Sequence, residues 1–227
     1  MTTPRRHRPK GLEIIYEDRD VIVINKDPGL LTMSTPKDEL QTAEYLLTDY
    51  LRKGAARSRL RAYVVHRLDR ETSGLLIFAK TEAVQHKLKD DWKETEKEYV
   101  AVVHGHLTEK TGTLSSYLTE NEAQFVHSTS QTKGKWSETQ YRVIEENKNF
   151  SALKINLLTG RKNQIRVHFA ELGHPVVGDT KYGPKEKKFE RMALHARSIA
   201  FNHPHSGKRM FFEAPVPKFF NRLMNQP

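Results

Sequence analysis

In "YVVHRLDRETSGLLIFAK", Tyr63 to Lys80, one carboxylate is placed for chemistry. Asp69 lies beside Arg67 and Arg70, at the end of one apolar run and directly before another. A carboxylate held among guanidiniums stays ionised. Such a group serves as nucleophile, base or electrostatic stabiliser, or as half of a structural ion pair at a strand end. In an extended segment, alternation sends Arg67 and Asp69 to one side and Leu68 to the other. A second cluster is "LLTGRKNQIRVHF". Arg161 and Lys162 are expected in the first turn of a helix, where free N–H groups and the dipole favour anions over cations. A negative partner, phosphate or the Asp69 carboxylate, would relieve this; the alternative is solvated surface charge. Arg166 follows Arg161 by five positions, so the two address different partners.

Other chemistries fit less well. With no cysteine there is no disulfide, thiolate nucleophile or cysteine-ligated metal. His104 and His106, or His203 and His205, lack a third ligand at a recognisable spacing, so they read as satisfied or surface histidines. No phosphate-binding glycine loop or dinucleotide fingerprint is present. Asp69 and Glu71 share one short turn, a poor way to flank a sugar. Ser73 lacks the G-x-S-x-G elbow. The residues therefore point to one carboxylate in an arginine-rich surround, with neither cofactor nor metal, acting on a nucleotide.

The elements that must position these groups can be read from periodicity. Val21 to Ile24 predicts a strand buried on both faces, followed by the turn Asp27-Pro28-Gly29. Asp38 to Lys53 predicts a helix facing inward with Leu40, Ala43, Leu47, Tyr50 and Leu51, widened by Leu46. "YVVHRL" and "GLLIFAK" predict two strands separated by "DRETSG". "EAVQHKLKDDW" predicts a short helix carrying Ala83, Val84, Leu88 and Trp92. "KEYVAVVHG" predicts a strand, and "SETQYRVIEE" with "FSALKINLLTG" a hairpin turning at 146–149. "RKNQIRVHFAELG" predicts a helix with Ile165, Phe169 and Leu172 as its inner stripe, ended by Gly173. "ARSIAF" and "RMFFEAP" predict closing strands. The expected class is α/β in the α+β sense: a mixed, largely antiparallel central sheet with flanking helices.

The totals agree. The 227 residues, 37% hydrophobic, suit one globular domain or two small lobes. The 38 lysines and arginines against 28 acids give a net charge of +10, which argues for a polyanionic partner. "RRHRPK", Arg5 to Lys10, is expected to form a flexible basic arm over residues 1–11, ahead of a catalytic domain over 12–227. Lys53 to Arg61, with Arg57, Arg59 and Arg61, is expected to be a mobile basic loop facing polyanion. No signal peptide or membrane-length apolar run is seen, so a cytoplasmic protein with no membrane partner is expected.

The whole pattern resembles the RluA family of RNA pseudouridine synthases. The resemblance rests on "HRLDRETSGLLIFAK", on "KEYVAVVHG", on "LLTGRKNQIRVHFAELGHPVVGDTKYG" and on "LHARSIAFNHPHSGKRMFFEAPVP", in the family's order, with "VINKDPGLLT" near the start. It implies that a uridine within RNA is converted to pseudouridine: the C1′–N1 bond breaks, the uracil rotates, and a C1′–C5 bond forms. No cofactor or metal is implied. Asp69 matches the essential aspartate and Tyr99 the active-site tyrosine that packs on the base. Arg166 matches the arginine that pairs with the aspartate, and Arg67 the one that enters the RNA when the target nucleotide is extruded. Arg161 and Lys162 are then assigned to the rim or to phosphate, and Asn163 is counted with the RNA-binding residues. Asn163 stands where the family commonly has histidine, and "KDPG" where it commonly reads Lys-Pro-x-Gly. Too few residues precede Ile14 for the S4 domain many relatives carry. A monomer acting on a structured tRNA or ribosomal RNA hairpin is expected. The rival readings are a catalytically inactive RNA-binding or ribosome-associated protein and a hydrolase of a nucleoside or RNA glycosidic bond.

Overall fold

The computed structural model describes residues 9–34, 40–53, 55, 57–185 and 189–225. Most of the basic arm, and parts of the 53–61 loop and of the helix expected from Asp38, lie outside them. The chain forms two compact units, one of residues 1–95 with 200–214, the other of 96–199 with 215–227.

In the first unit β1 (Leu12–Glu17) pairs antiparallel with β2 (Val21–Lys26), which pairs antiparallel with β4 (Ser73–Ala79). Val21 to Ile24 are completely buried, as a continuous β-branched run requires when both faces are covered. Every residue of β4 is buried too. β3 is only Tyr63–Val64, so the longer strand expected over "YVVHRL" does not form. α1 spans Ala43–Arg52, with the Thr42 hydroxyl capping the N–H of Tyr45. Ala43, Leu47 and Leu51 form its buried face, whereas Leu40 precedes the helix and is exposed. α2 (Glu82–Asp90) continues as a 3₁₀ turn over Asp91–Glu94 and buries only Leu88 of its expected stripe. β11 (Arg209–Glu213) pairs with β10 (Leu194–Asn202), the strand in which the chain passes from the second unit back to the first.

The strand order in the second unit is β10–β5–β9–β8–β6–β7. β5 is Glu96–His104, β6 Thr111–Glu120, β7 Val126–Thr129, β8 Lys135–Glu146 and β9 Phe150–Leu157. The β5–β9, β9–β8, β8–β6 and β6–β7 pairs are all antiparallel. The expected hairpin of β8 and β9 is present, and Asn147 shapes its turn: its Oδ1 accepts from the N–H groups of Asn149 and Phe150. Strands β6 and β7 were not foreseen, because Thr- and Ser-rich alternation carries little apolar signal. One side of β5, with Phe150 and Ala152 of β9, packs on Phe219, Phe220, Leu223 and Met224, mostly from α4 (Lys218–Met224). α3 (Gln164–Glu171) covers the opposite side of β8, β6 and β7. The architecture is mixed α+β with largely antiparallel strands. Among the described residues no helix is long and apolar enough to cross a membrane.

Candidate active site

The Asp69 turn belongs to the first unit. Strand pairing stops after Val64 because the backbone beyond it is bound elsewhere. Leu68 turns inward and is buried. Its N–H donates to Thr32 Oγ1 (3.1 Å), and the same hydroxyl donates back to the Leu68 carbonyl (2.9 Å). The Arg70 carbonyl accepts from the Gly29 N–H (2.8 Å) and from Lys26 Nζ (3.0 Å). Lys26 is fully buried at the end of β2, and its ammonium also donates to the carbonyls of Asp27 (2.9 Å) and Leu30 (2.8 Å). A buried ammonium is tolerable only when its donors are matched, and here three donors meet three carbonyls. The Thr72 N–H closes the turn on the Asp69 carbonyl at 3.1 Å. Asp69 is thus presented, half-buried, on a turn anchored on both sides, with Arg67 and Arg70 exposed beside it.

A cleft of about 350 Å³ in the same unit is lined by Arg61, Tyr63, His66, Arg67 and Lys89, with Glu44 at its edge. It brings Arg61 and Arg67 together. Arg61 pairs with Glu44 at 2.9 Å, its guanidinium 5.5 Å from the Tyr63 ring centre. Arg57 and Arg59 are exposed and do not line this cleft. His66 is held from within: Nε2 accepts the Ile77 N–H at 3.0 Å, and its ring packs on Trp92.

Tyr99, Arg161, Lys162, Asn163 and Arg166 belong to the second unit. Tyr99 is buried on β5, opposite Ile155. Arg161 and Lys162 precede α3 instead of forming its first turn, which removes the expected conflict with the helix dipole. Lys162 pairs with Glu120, and Arg161 Nε donates to the Trp136 carbonyl at 3.1 Å. The cap is Asn163, in the left-handed region at φ 54°. Asparagine tolerates that conformation better than most residues with a side chain. Asn163 is buried, and its Oδ1 accepts from the Tyr182 hydroxyl (3.2 Å) and Lys181 Nζ (3.4 Å). The helix ends in a Schellman arrangement, His174 N–H to Phe169 O (2.8 Å) and Gly173 N–H to Ala170 O (3.0 Å). Ile165 and Phe169 point inward as expected, but Leu172 is exposed.

Arg166 is gripped by Asp179, Nε to Oδ2 at 2.6 Å and Nη2 to Oδ1 at 2.8 Å. Asp179 also accepts the N–H groups of Lys181 and Tyr182, and the Tyr182 ring lies 5.1 Å below the guanidinium. Burial alone would push the Asp179 carboxyl up. The Arg166 guanidinium, helped by those two N–H groups, outweighs burial and holds it below the usual carboxylate range. Gly178 is required next to it: its φ is +76°, and a Cβ there would lie 2.2 Å from the Arg191 carbonyl oxygen. His168, one turn along α3, is buried between Thr139 Oγ1 (3.0 Å) and Ser116 Oγ (3.1 Å). Burial pushes its pKa below the ordinary histidine value.

Reading the residues one at a time passed over Lys26, Thr32, Asp179, Tyr182 and His168. Signals existed for three: the lysine closing a β-branched run before Asp-Pro-Gly, and Asp179 and Tyr182 in the "GDTKYG" stretch after α3. The histidine pairs do not hold one another. His203 Nδ1 faces the N–H groups of His205 and Ser206, which leaves the proton on Nε2 to donate to Asp18 Oδ2 at 2.9 Å. Asp18, Asp20 and His203 lie close enough to share an ion. That hydrogen-bonding makes them a clasp between two turns of the first unit.

Known proteins share this sequence and fold. The sequence profile of the RNA pseudouridylate synthase family matches residues 20–171. The chain belongs to this family. It is 35% identical over 220 residues to an RNA pseudouridine synthase of Bacillus subtilis described as uncharacterized, YlyB, covering 95% of this chain and 73% of the relative. It is 36% identical over 223 residues to the ribosomal large subunit pseudouridine synthase D of Escherichia coli K12, covering 91% of this chain and 68% of that one. Among solved structures, human RNA pseudouridylate synthase domain containing 1 superposes with a TM-score of 0.70 at 29% identity, over 90% of this chain and 83% of that one. The protein is thus an isomerase that converts uridine in RNA to pseudouridine.

Proposed function

We propose that Asp69 is the essential carboxylate of this isomerisation, with Tyr99 as the ring that packs on the target uracil and Arg166 as the cationic partner of the carboxylate. The reaction is balanced without a co-reactant: C1′–N1 breaks, C1′–C5 forms, the C5 proton leaves and N1 gains one. The observation that carries the reading is the turn that presents Asp69, pinned through Leu68 and Arg70 within the segment the family profile matches. A carboxylate that must meet one carbon of an extruded nucleotide needs such a fixed approach. Arg67, exposed beside it, fills the place the base leaves. Arg161 and Lys162, with Arg57, Arg59 and Arg61, carry phosphate contacts, and Asn163 acts through the turn it holds. The substrate is a structured RNA. The similarity to an enzyme named for the large ribosomal subunit supports a ribosomal RNA hairpin over tRNA. The enzyme works as a cytoplasmic monomer, with its catalytic domain over residues 12–227.

The test is tritium release from C5-labelled uridine in ribosomal RNA and tRNA. The parent protein is expected to release tritium, and Asp69→Asn to release none while binding RNA within about tenfold of the parent, since one carboxylate adds little to a phosphate-dominated affinity. Turnover by Asp69→Asn near the parent rate would remove Asp69 from the chemistry.

A further inference from the structure

The second unit has a sheet face that the site above does not use. α3 covers one side of β8, β6 and β7, where His168, Val167 and Phe169 meet Ser116, Leu118 and Tyr141. Side chains alternate along a strand, so the residues between them face the other way. That other face carries three cross-strand rows. Tyr117 of β6 stands opposite Trp136 of β8. Gln140 of β8 stands opposite Asn156 of β9, and Arg142 opposite Lys154. From Trp136 to Arg142 the strip runs about 20 Å along β8.

We infer that this strip binds a single-stranded stretch of RNA. Three observations carry the inference. The first is Trp136, one of only two tryptophans in the chain, which is 43% exposed and meets Tyr117 edge to face at 5.1 Å. A large ring left open on a solvated sheet gives a base a stacking surface whatever its sequence. The second is the polar row. Among the described residues the Gln140 and Asn156 amides and the Arg142 guanidinium have no hydrogen-bond partner, and they line a cleft of about 450 Å³. Amides read base edges, and guanidiniums take phosphate or stack. The third is charge. Arg161 is fixed beside the aromatic row by its bond to the Trp136 carbonyl. Lys154 neutralises Glu98, which leaves Glu138 against Arg142 and Arg161 on or beside the strip. The strip therefore combines cations, amides and stacking rings, at a length that suits two or three bases on an open sheet. The inference rests on the RNA-modifying activity, and gives it a hold on RNA outside the target uridine.

The experiment uses the full chain with Trp92→Phe, so that Trp136 is the sole tryptophan. It is titrated with labelled octaadenylate, which is single-stranded and contains no uridine. Binding is expected to quench Trp136 emission. Trp136→Ala and Tyr117→Ala should each weaken octaadenylate binding by about fivefold to a hundredfold, the range of one lost stacking ring, and Trp136→Phe should restore most of it. Arg142→Gln with Arg161→Gln should lower the slope of log affinity against log salt by about 1.4, two phosphate contacts on a single strand. Octaadenylate that fails to bind, or binds with Trp136 emission unchanged, overturns the inference, as a face built for a protein partner would produce. Tritium release measured on the same preparations separates the two claims: turnover without a Trp136 response rejects the strip alone, and a response without turnover rejects the catalytic assignment alone.

Discussion

Two regions hold candidate catalytic groups in opposite ways. In the first unit the anchors grip backbone: Thr32 takes the Leu68 N–H and carbonyl, and Lys26 takes the Arg70 carbonyl. The Asp69 turn is thereby fixed through the backbone on either side of it. In the second unit the anchor grips the functional side chain itself, as Asp179 holds two nitrogens of the Arg166 guanidinium. Backbone anchoring fixes where a group is. Side-chain anchoring also orients the charged group and depends on the ionisation of its carboxylate partner, so it responds to pH and to isosteric change. The two designs should therefore fail differently.

The largest effect is expected at the side-chain anchor. Asp179→Asn leaves Arg166 as a buried cation with a neutral partner, at a cost of about 3–5 kcal/mol, visible as a lower urea midpoint. Turnover should fall even where the variant is fully folded; an unchanged rate would show that Asp179 does not set Arg166 for the reaction. Next is Lys26→Met, similar in volume, which strips three carbonyls of a charged donor and should cost about 2–4 kcal/mol. Its mark should be faster hydrogen exchange over 66–72, with α3 unaffected. Spread of the effect into α3 would break the distinction between the regions. Thr32→Val removes one donated and one accepted bond at Leu68, about 1–2 kcal/mol, and should slow turnover without changing its pH profile. The smallest effect is acid loosening. The His168 pKa is depressed by burial, so the fold favours the neutral ring. That stability is present above the ordinary value of 6.5 and is lost as pH falls below it. Asp179 follows only below its ordinary 3.8. Between pH 7 and 5, hydrogen exchange should rise in α3 before it rises around Asp69; the reverse order would contradict the assignment of His168 as a buried neutral group.

How far the sequence could be read follows the same division. Val21 to Ile24, β4, β5 and the β8–β9 hairpin were legible because burial leaves a period or an unbroken apolar run. So was the inner face of α3 at Ile165 and Phe169. β6 and β7 were not, since one side faces water and the other meets α3 through Ser116, Leu118 and Val126 with few large apolar residues. The strand expected before Asp69 failed for a different reason: Leu68 spends its backbone bonds on Thr32, thirty-six residues away, which no local pattern reveals. Asp69 stood out from its own surroundings, with Arg67 beside it; Tyr99, and the roles given to Arg67 and Arg166, came from family likeness. The residues that hold them were harder to see. Lys26 is a lysine with no exposure, and Asp179 meets Arg166 through a fold-dependent pairing.

The chain's passage between the units has a consequence for synthesis. The first unit takes its last segment, Ala200–Ala214, from far beyond its own start, and the Asp18–His203 clasp joins residues 185 positions apart. Residues 1–95 therefore emerge from the ribosome well before this part of their unit exists. Closing a loop of that length is slow relative to local pairing, so the β2–β4 core must wait, partly uncovered, while nearly all of the other unit is made. A nascent chain stalled before Ala200 already contains Lys26, Gly29 and Thr32, which anchor the Asp69 turn, in a unit whose last segment is still missing.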